Sequence, residues 1–284
     1  MAQRRFIQCD VFSSVATKGN GLAVVVDAVD LSDDQMAAFA AWTNLAETTF
    51  LFPPDHPEAD YRVRIMTPTR EMPFAGHPTL GSCAAWLRCG GKPKDPSIVR
   101  QECGVGLVEI DLTGRFPAFI APETHIEPID QGQLAAISSA LEINLERIVH
   151  TAKLSNGPVW QLLELSSAED VLALDSSRVK WPAFQAIGLL GAHQSTNECD
   201  YEVRMLAPSS GMSEDPITGS LNSAIAVWLN AQGRLESEIV VAQGTVIGRH
   251  GRVYIRKSDS GASEPGRIRI GGQTQILIEG TVEL

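Results

Sequence analysis

Paired cysteines, basic clusters, long apolar runs and nucleotide signatures are all missing from this 284-residue chain. Its five cysteines (Cys9, Cys83, Cys89, Cys103 and Cys199) are odd in number and form no CxxC, which argues against a disulfide framework or a zinc knuckle and fits reduced thiols. The 34 acidic against 23 basic side chains give a net charge of −11, and no cluster of Lys and Arg offsets it locally. A phosphate backbone or an anionic membrane surface is therefore not the expected partner. The uncharged stretch from Met72 to Leu87 is broken by Pro73, His77 and Pro78 and is too short for a membrane span. The segment MAQRRFIQCDVF reaches Asp10 before a secretory apolar core forms, and no Asn opens a glycosylation sequon. The expectation is a soluble, cytoplasmic protein. There is no GxxxxGK[ST], HExxH, GxSxG or strand-borne GxGxxG, and the six histidines show no ligand spacing. No metal and no organic cofactor are expected.

What is present is an ordinary globular composition, 44% hydrophobic and 20% charged, on a chain long enough for two medium domains. It also carries an internal repeat. Tyr61-Arg62-Val63-Arg64-Ile65-Met66-Thr67-Pro68 returns as Tyr201-Glu202-Val203-Arg204-Met205-Leu206-Ala207-Pro208, and 201 − 61 = 140. Asn20-Gly21 is echoed by Asn156-Gly157, Trp86-Leu87 by Trp228-Leu229, and Gly104 by Gly244, in the same order. A period this long is a duplicated domain rather than a solenoid. The first repeat is expected over 1–118, with the C-terminal strands of 273–284 as candidates to complete it, and the second over 119–272.

Each copy reads as β-rich with one prominent helix, an α+β unit. Alternating polar and apolar residues over Arg62–Met66 and Glu202–Leu206 predict half-buried strands. In the first copy, Gly76-His77-Pro78-Thr79 opens a helix that Gly90-Gly91 stops; in the second, Thr218-Gly219-Ser220 opens one that ends before Gly233. A further helix is expected from Ser32 to about Asn44, with Met36, Phe39 and Ala40 on its apolar face. Residues 114–128 read as the junction between copies, 258–266 as a solvated loop, and the tail after 266 as two or three strands around Gly271-Gly272.

The two helix starts are the first candidates for chemistry. A helix N-terminus offers unpaired N–H donors and partial positive charge, and two of them across a cleft could hold a carboxylate and stabilise an enolate-like intermediate. Gly76 and Gly219 would let a ligand approach the backbone, although glycine at a helix start is more often a simple turn. Glu47 lies where a helix gives way to the apolar run Thr48-Thr49-Phe50-Leu51-Phe52. Desolvation there would raise its pKa toward the range needed for an acid that is also a base, whereas a Glu just past a helix end is ordinarily solvated or capping a turn. Asp215 could equally cap the second helix, and His77 could be a capping or solvated histidine.

Taken together, Gly19-Asn20, Asn44-Leu45-Ala46-Glu47-Thr48-Thr49-Phe50, Pro73-Phe74-Ala75-Gly76-His77-Pro78-Thr79-Leu80-Gly81 and Glu214-Asp215-Pro216-Ile217-Thr218-Gly219-Ser220 closely resemble the phenazine-biosynthesis PhzF-like family. Gly104-Val105-Gly106, Ala242-Gln243-Gly244 and the Gly271-Gly272 tail agree, so the resemblance spans almost the whole chain. It implies a diaminopimelate-epimerase-like fold, with two similar pseudo-symmetric domains, each a curled mixed sheet around a central helix. It further implies an inter-domain active site, isomerisation by proton relocation on a small carboxylated substrate, no cofactor and a homodimer. Carried over by motif, Glu47 would be the proton shuttle, and His77 and Asp215 would assist protonation and orientation. Gly76, Pro78, Gly219 and Ser220 would bind substrate. The fold's epimerase relatives use two cysteines, and none lies at the corresponding places here. Gly21 departs from the family's usual proline and Leu221 from its usual alanine, either of which could reshape the cleft wall. A non-catalytic binding member of the fold, and an amino-acid epimerase using Asp215 as a second acid/base, remain alternatives.

Overall fold

The computed structural model describes residues 2–209, 212–258 and 266–284. The chain divides into two compact units, one formed by Met1–Ile120 with Gly271–Leu284 and the other by Ala121–Ile270. In chain order the first unit holds β1 (Gln3–Val11), β2 (Asn20–Val25), α1 (Asp33–Thr43), β3 (Glu47–Phe52), β4 (Tyr61–Met66), β5 (Glu71–Met72), α2 (Gly76–Arg88), β6 (Ile98–Cys103), β7 (Gly106–Asp111) and β8 (Ala118–Ile120). The second holds β9 (His125–Glu127), α3 (Gln131–Ala140), β10 (Ile148–Ser155), β11 (Val159–Leu165), α4 (Ala168–Leu172), β12 (Ile187–Ala192), β13 (Tyr201–Leu206), β14 (Glu214–Asp215), α5 (Gly219–Ala231), β15 (Ile239–Gln243) and β16 (Gly251–Lys257), with β17 (Ile268–Gly271) reaching the boundary. The chain then returns to the first unit for β18 (Thr274–Glu283), which pairs antiparallel with β1. The junction read at 114–128 thus contains two short strands, and 259–265 of the loop read at 258–266 lie outside the described residues.

Pairing is the same in both units. β1–β2 is antiparallel, β2–β3 parallel, β3–β4 antiparallel and β4–β6 parallel; β10–β11, β11–β12, β12–β13 and β13–β15 repeat those four senses in order. Each parallel step has a helix between its strands, the usual form of a parallel crossover.

In the first unit the inner face of the curled sheet wraps α2. This helix is buried nearly all round, from Gly76 through Cys83 and at Ala85, and it packs on β1, β2 and β3. Such a helix must be small where it meets the sheet: a Cβ on Gly81 would stand 2.5 Å from Leu22 and 3.0 Å from Val11. α1 covers the other face through Met36, Phe39 and Ala40 against Val25, Phe50 and Met66. Its ends are as read from the sequence. Ser32 closes a capping box with Gln35, and Asn44 ends the helix in the left-handed region at φ 52°.

The second unit wraps α5 in the same way but inverts the fit. Leu221 is fully buried on the helix, and the sheet supplies the gap, because a Cβ on Gly188 would meet Leu221 at 2.9 Å. Leu221 is therefore a core side chain of its own unit. The outer face packs α3 and α4 through Ile137, Leu141 and Val171 against Leu163, Leu165, Ile187 and Leu189. One expectation is corrected here. Period-2 alternation predicted a half-buried strand over Glu202–Leu206, yet all five residues are buried. The polar positions stay dry because they are paired, Arg204 with Glu214 and Glu202 with His193.

Candidate active site

In the first unit, Asp10 is buried and accepts the Gly19 N–H at 2.7 Å, closing the turn that launches β2 at Asn20. Glycine is required in that turn, since a Cβ on Gly19 would stand 2.4 Å from the Val11 carbonyl. Parallel pairing sets Leu22 opposite Glu47, so Glu47 opens β3 beside the start of β2 rather than lying free beyond a helix. The first turn of α2 follows Ala75, which makes no side-chain cap. Gly76, His77 and Pro78 are all buried in that turn.

These elements bring Asn20, Glu47 and His77 together. His77 Nε2 stands 3.3 Å from Glu47 Oε2, with side-chain exposures of 6% and 18%. His77 Nδ1 faces the Asn20 amide nitrogen at 3.4 Å. Burial pushes the His77 imidazole down to about 3, so it is neutral and carries one ring proton. The Asn20 amide donates to Nδ1, which places that proton on Nε2, facing Glu47. The Glu47–His77 contact is accordingly one between a carboxyl group and a neutral N–H donor, not an ion pair. It lacks the alignment of a formed hydrogen bond at Nε2. His77 is thus neither a cap nor solvated.

In the second unit, Asp215 occupies β14 and Thr218 is the N-cap of α5. Asp215 is not that cap. Its carboxylate accepts the Thr218 hydroxyl, and Thr218 makes no side-chain cap, so α5, like α2, has no capping bond from its own N-cap side chain. Gly219 and Ser220 form its first turn. Ser220 exposes part of its surface, and its carbonyl accepts from Asn156 Nδ2 at 2.8 Å. Asn156 thus reaches the start of α5 as Asn20 reaches the start of α2. Gln243, fully buried, reaches the same loop from β15. Among the described residues no group of three His, Cys, Asp or Glu side chains could hold a metal ion, and no helix is long and apolar enough to cross a membrane. All five cysteines are free, and burial pushes the Cys9 and Cys83 thiols up to about 12.

The sequence reading assigned no role to Asn20, Asn156, Thr218 or Gln243. The signal for the two asparagines was the repeat itself, which aligns Asn20-Gly21 with Asn156-Gly157. Gln243 stood in a quoted motif but 25 residues from Thr218, a distance no local pattern bridges.

Comparison with known proteins agrees with this architecture. The family described as "Phenazine biosynthesis-like protein" matches residues 9–280. A Schizosaccharomyces pombe protein named antisense-enhancing sequence 1 is 33% identical over 99% of both chains. A trans-2,3-dihydro-3-hydroxyanthranilate isomerase of Pseudomonas fluorescens is 30% identical over 98% of this chain and 99% of its own. The crystal structure of a Bacillus anthracis PhzF-family protein covers 100% of both chains with a TM-score of 0.84 at 19% identity, and so shares the fold. With an isomerase matched over nearly its whole length and the fold in common, this chain belongs to the phenazine biosynthesis-like family of isomerases.

Proposed function

We propose that the protein is a cofactor-independent isomerase that relocates a proton on a small carboxylated substrate, cyclic or amino-acid-like, with Glu47 as the acid/base. The observation that carries this is the contact of Glu47 with a buried, neutral His77 at an uncapped helix start. The Glu47 carboxylate takes a proton from a substrate C–H, and the electron pair left behind delocalises as an enolate-like anion. Glu47 then returns the proton at another carbon, so nothing is oxidised or reduced. His77, with its proton held on Nε2, donates to Glu47 or to developing negative charge. The N–H groups at Gly76 and at Gly219, each at a helix start with no bond from its N-cap side chain, each suit a carboxylate. Ser220 adds a hydroxyl, Pro78 shapes the first turn, and Asp215 assists protonation and orientation.

The test uses trans-2,3-dihydro-3-hydroxyanthranilate, the compound named for the Pseudomonas relative, as first probe, followed by other small unsaturated carboxylic acids and amino acids. Turnover in heavy water is followed by proton NMR. Deuterium should enter the substrate carbon in wild type and not in Glu47→Gln. Exchange at a single stereocentre with inversion would convert the reading to an epimerase. Binding without exchange by any of these acids would convert it to a binding module.

A further inference from the structure

We propose that Gln243 and Thr218 are positioning residues that fix the rotamer and the hydrogen-bond donor of Asp215. This deepens the preceding reading and rests on it. The Gln243 side chain makes four hydrogen bonds, all to this one corner of the second unit. Its Oε1 accepts the Thr218 backbone N–H at 3.0 Å and Asn222 Nδ2 at 2.8 Å. Its Nε2 donates to the Thr218 hydroxyl at 3.0 Å and to the Asp215 carbonyl at 3.3 Å.

The direction of this chain is set by its least adjustable member. A backbone N–H can only donate, so the amide atom facing Thr218 N is the Gln243 oxygen, and the nitrogen must then face the Thr218 hydroxyl. A hydroxyl that accepts from Gln243 has its single hydrogen left to give, and that hydrogen goes to Asp215 Oδ2. The N-cap threonine, whose oxygen would ordinarily accept from the first helical turn, is therefore turned into a donor to a carboxylate. The one rotation leaves the start of α5 without a side-chain cap and holds Asp215 in one orientation. Gln243 and Asn222 are fully buried, so neither is free to swing to solvent.

The first unit has a buried glutamine at the corresponding strand but no hydroxyl at the helix start: the N-cap of α2 is Ala75, and Gln101 meets Thr79, three residues after Gly76 as Asn222 is three after Gly219. Gln101 Nε2 donates to Thr79 Oγ1 at 3.1 Å, and the Thr79 hydroxyl then turns back to the Ala75 carbonyl at 2.9 Å. There Gln101 also accepts the Tyr61 hydroxyl at 2.9 Å, and the run of hydrogen bonds ends on the helix backbone. Gln101 is thus an internal control for the loss of a buried glutamine.

The experiment compares Gln243→Met, Thr218→Val and Thr218→Ser with Gln101→Met. Three-bond couplings of Asp215 report its χ1 rotamer without any substrate. Kinetics on trans-2,3-dihydro-3-hydroxyanthranilate, or on whichever acid wild type turns over, report kcat and KM. Wild type should show one Asp215 rotamer. Gln243→Met and Thr218→Val should average it and lower kcat by roughly 10–100-fold with KM within about twofold, the signature of a misaimed group. Thr218→Ser should recover most of that loss and restore the single rotamer. Gln101→Met should lower Tm and leave the Asp215 couplings as in wild type. Unchanged couplings in folded Gln243→Met and Thr218→Val would overturn the proposal, as would a kcat loss in Gln101→Met as large as theirs. Should wild type turn over no carboxylic acid, the isomerase reading fails, and the couplings still decide whether Gln243 and Thr218 hold Asp215.

Discussion

The two units place one arginine–glutamate fork at the same step of their topology, with opposite surroundings. In the first, Arg64 grips Glu71 through Nε and Nη2 at 2.8 and 2.7 Å and reaches Asp33 at 2.6 Å, with Arg64 and Glu71 side-chain exposures of 24% and 44%. In the second, Arg204 grips Glu214 at 3.0 and 2.7 Å with both side chains at 0% exposure, and its remaining nitrogen donates to the Val171 and Leu174 carbonyls at the end of α4. The first fork ties down the start of a helix through an acid, and the second ties down the end of a helix through its carbonyls. Both choices suit the helix dipole. What differs is dielectric. The fork of the second unit is a buried fastener where that of the first is a half-exposed pair, while the first unit carries buried polarity at Asn20 and His77 beside the half-buried Glu47.

The largest effect that could break this comparison is chemical. Glu47→Gln keeps shape and should lower turnover by roughly 10²–10⁴-fold with folding intact. Asp215→Asn should cost less; an equal loss would make the halves chemically equivalent and favour a two-base epimerase. Next comes Glu214→Ala, which leaves Arg204 charged and buried and should cost about 3–5 kcal/mol in urea unfolding. The double variant Arg204→Met with Glu214→Leu should regain most of it, because both desolvated charges are gone.

A third effect depends on pH. His77 is held at about 3 in the folded protein, below its ordinary value of 6.5, so between those values only the unfolded chain takes up the proton. Stability from this group is fully present above pH 6.5 and should fall by about 1.4 kcal/mol per unit as pH drops toward 3. Urea titrations from pH 7 to pH 4.5 should show wild type losing that much more per unit than His77→Gln. Equal slopes would mean that His77 is not buried neutral. The smallest effect belongs to the exposed fork: Glu71→Ala should cost about 0–1 kcal/mol, and less still in high salt. A cost matching that of Glu214→Ala would erase the contrast between the forks.

Those parts of the fold that depend on neighbours in sequence were legible. Ser32 announces the start of α1 and Asn44 its end. The repeat at 140 exposed two β4-like strands because a duplicated strand keeps its own alternation. What could not be read was any feature made by residues far apart. The dryness of Glu202 depends on His193, and that of Arg204 on Glu214 and two carbonyls of α4. α4 has only five residues, too few for a periodic signal. At the candidate site the sequence pointed to Glu47 and His77 as single residues. Their contact, and the Asn20 amide that sets the ring proton, arise from strand pairing and a helix start brought together by the fold.

The inverted fit of the two central helices bears on how such a duplicated molecule can change. In the first unit the notch is on the helix at Gly81 and the knob on the sheet at Leu22; in the second the knob is on the helix at Leu221 and the notch on the sheet at Gly188. The helices are therefore no longer interchangeable parts. A chimera with α2 grafted in place of α5 would bring no leucine to fill the space over Gly188, and α5 grafted in place of α2 would thrust Leu221 at a sheet with no glycine waiting. Either exchange should therefore destabilise the unit that receives the foreign helix, one by a cavity and the other by overpacking.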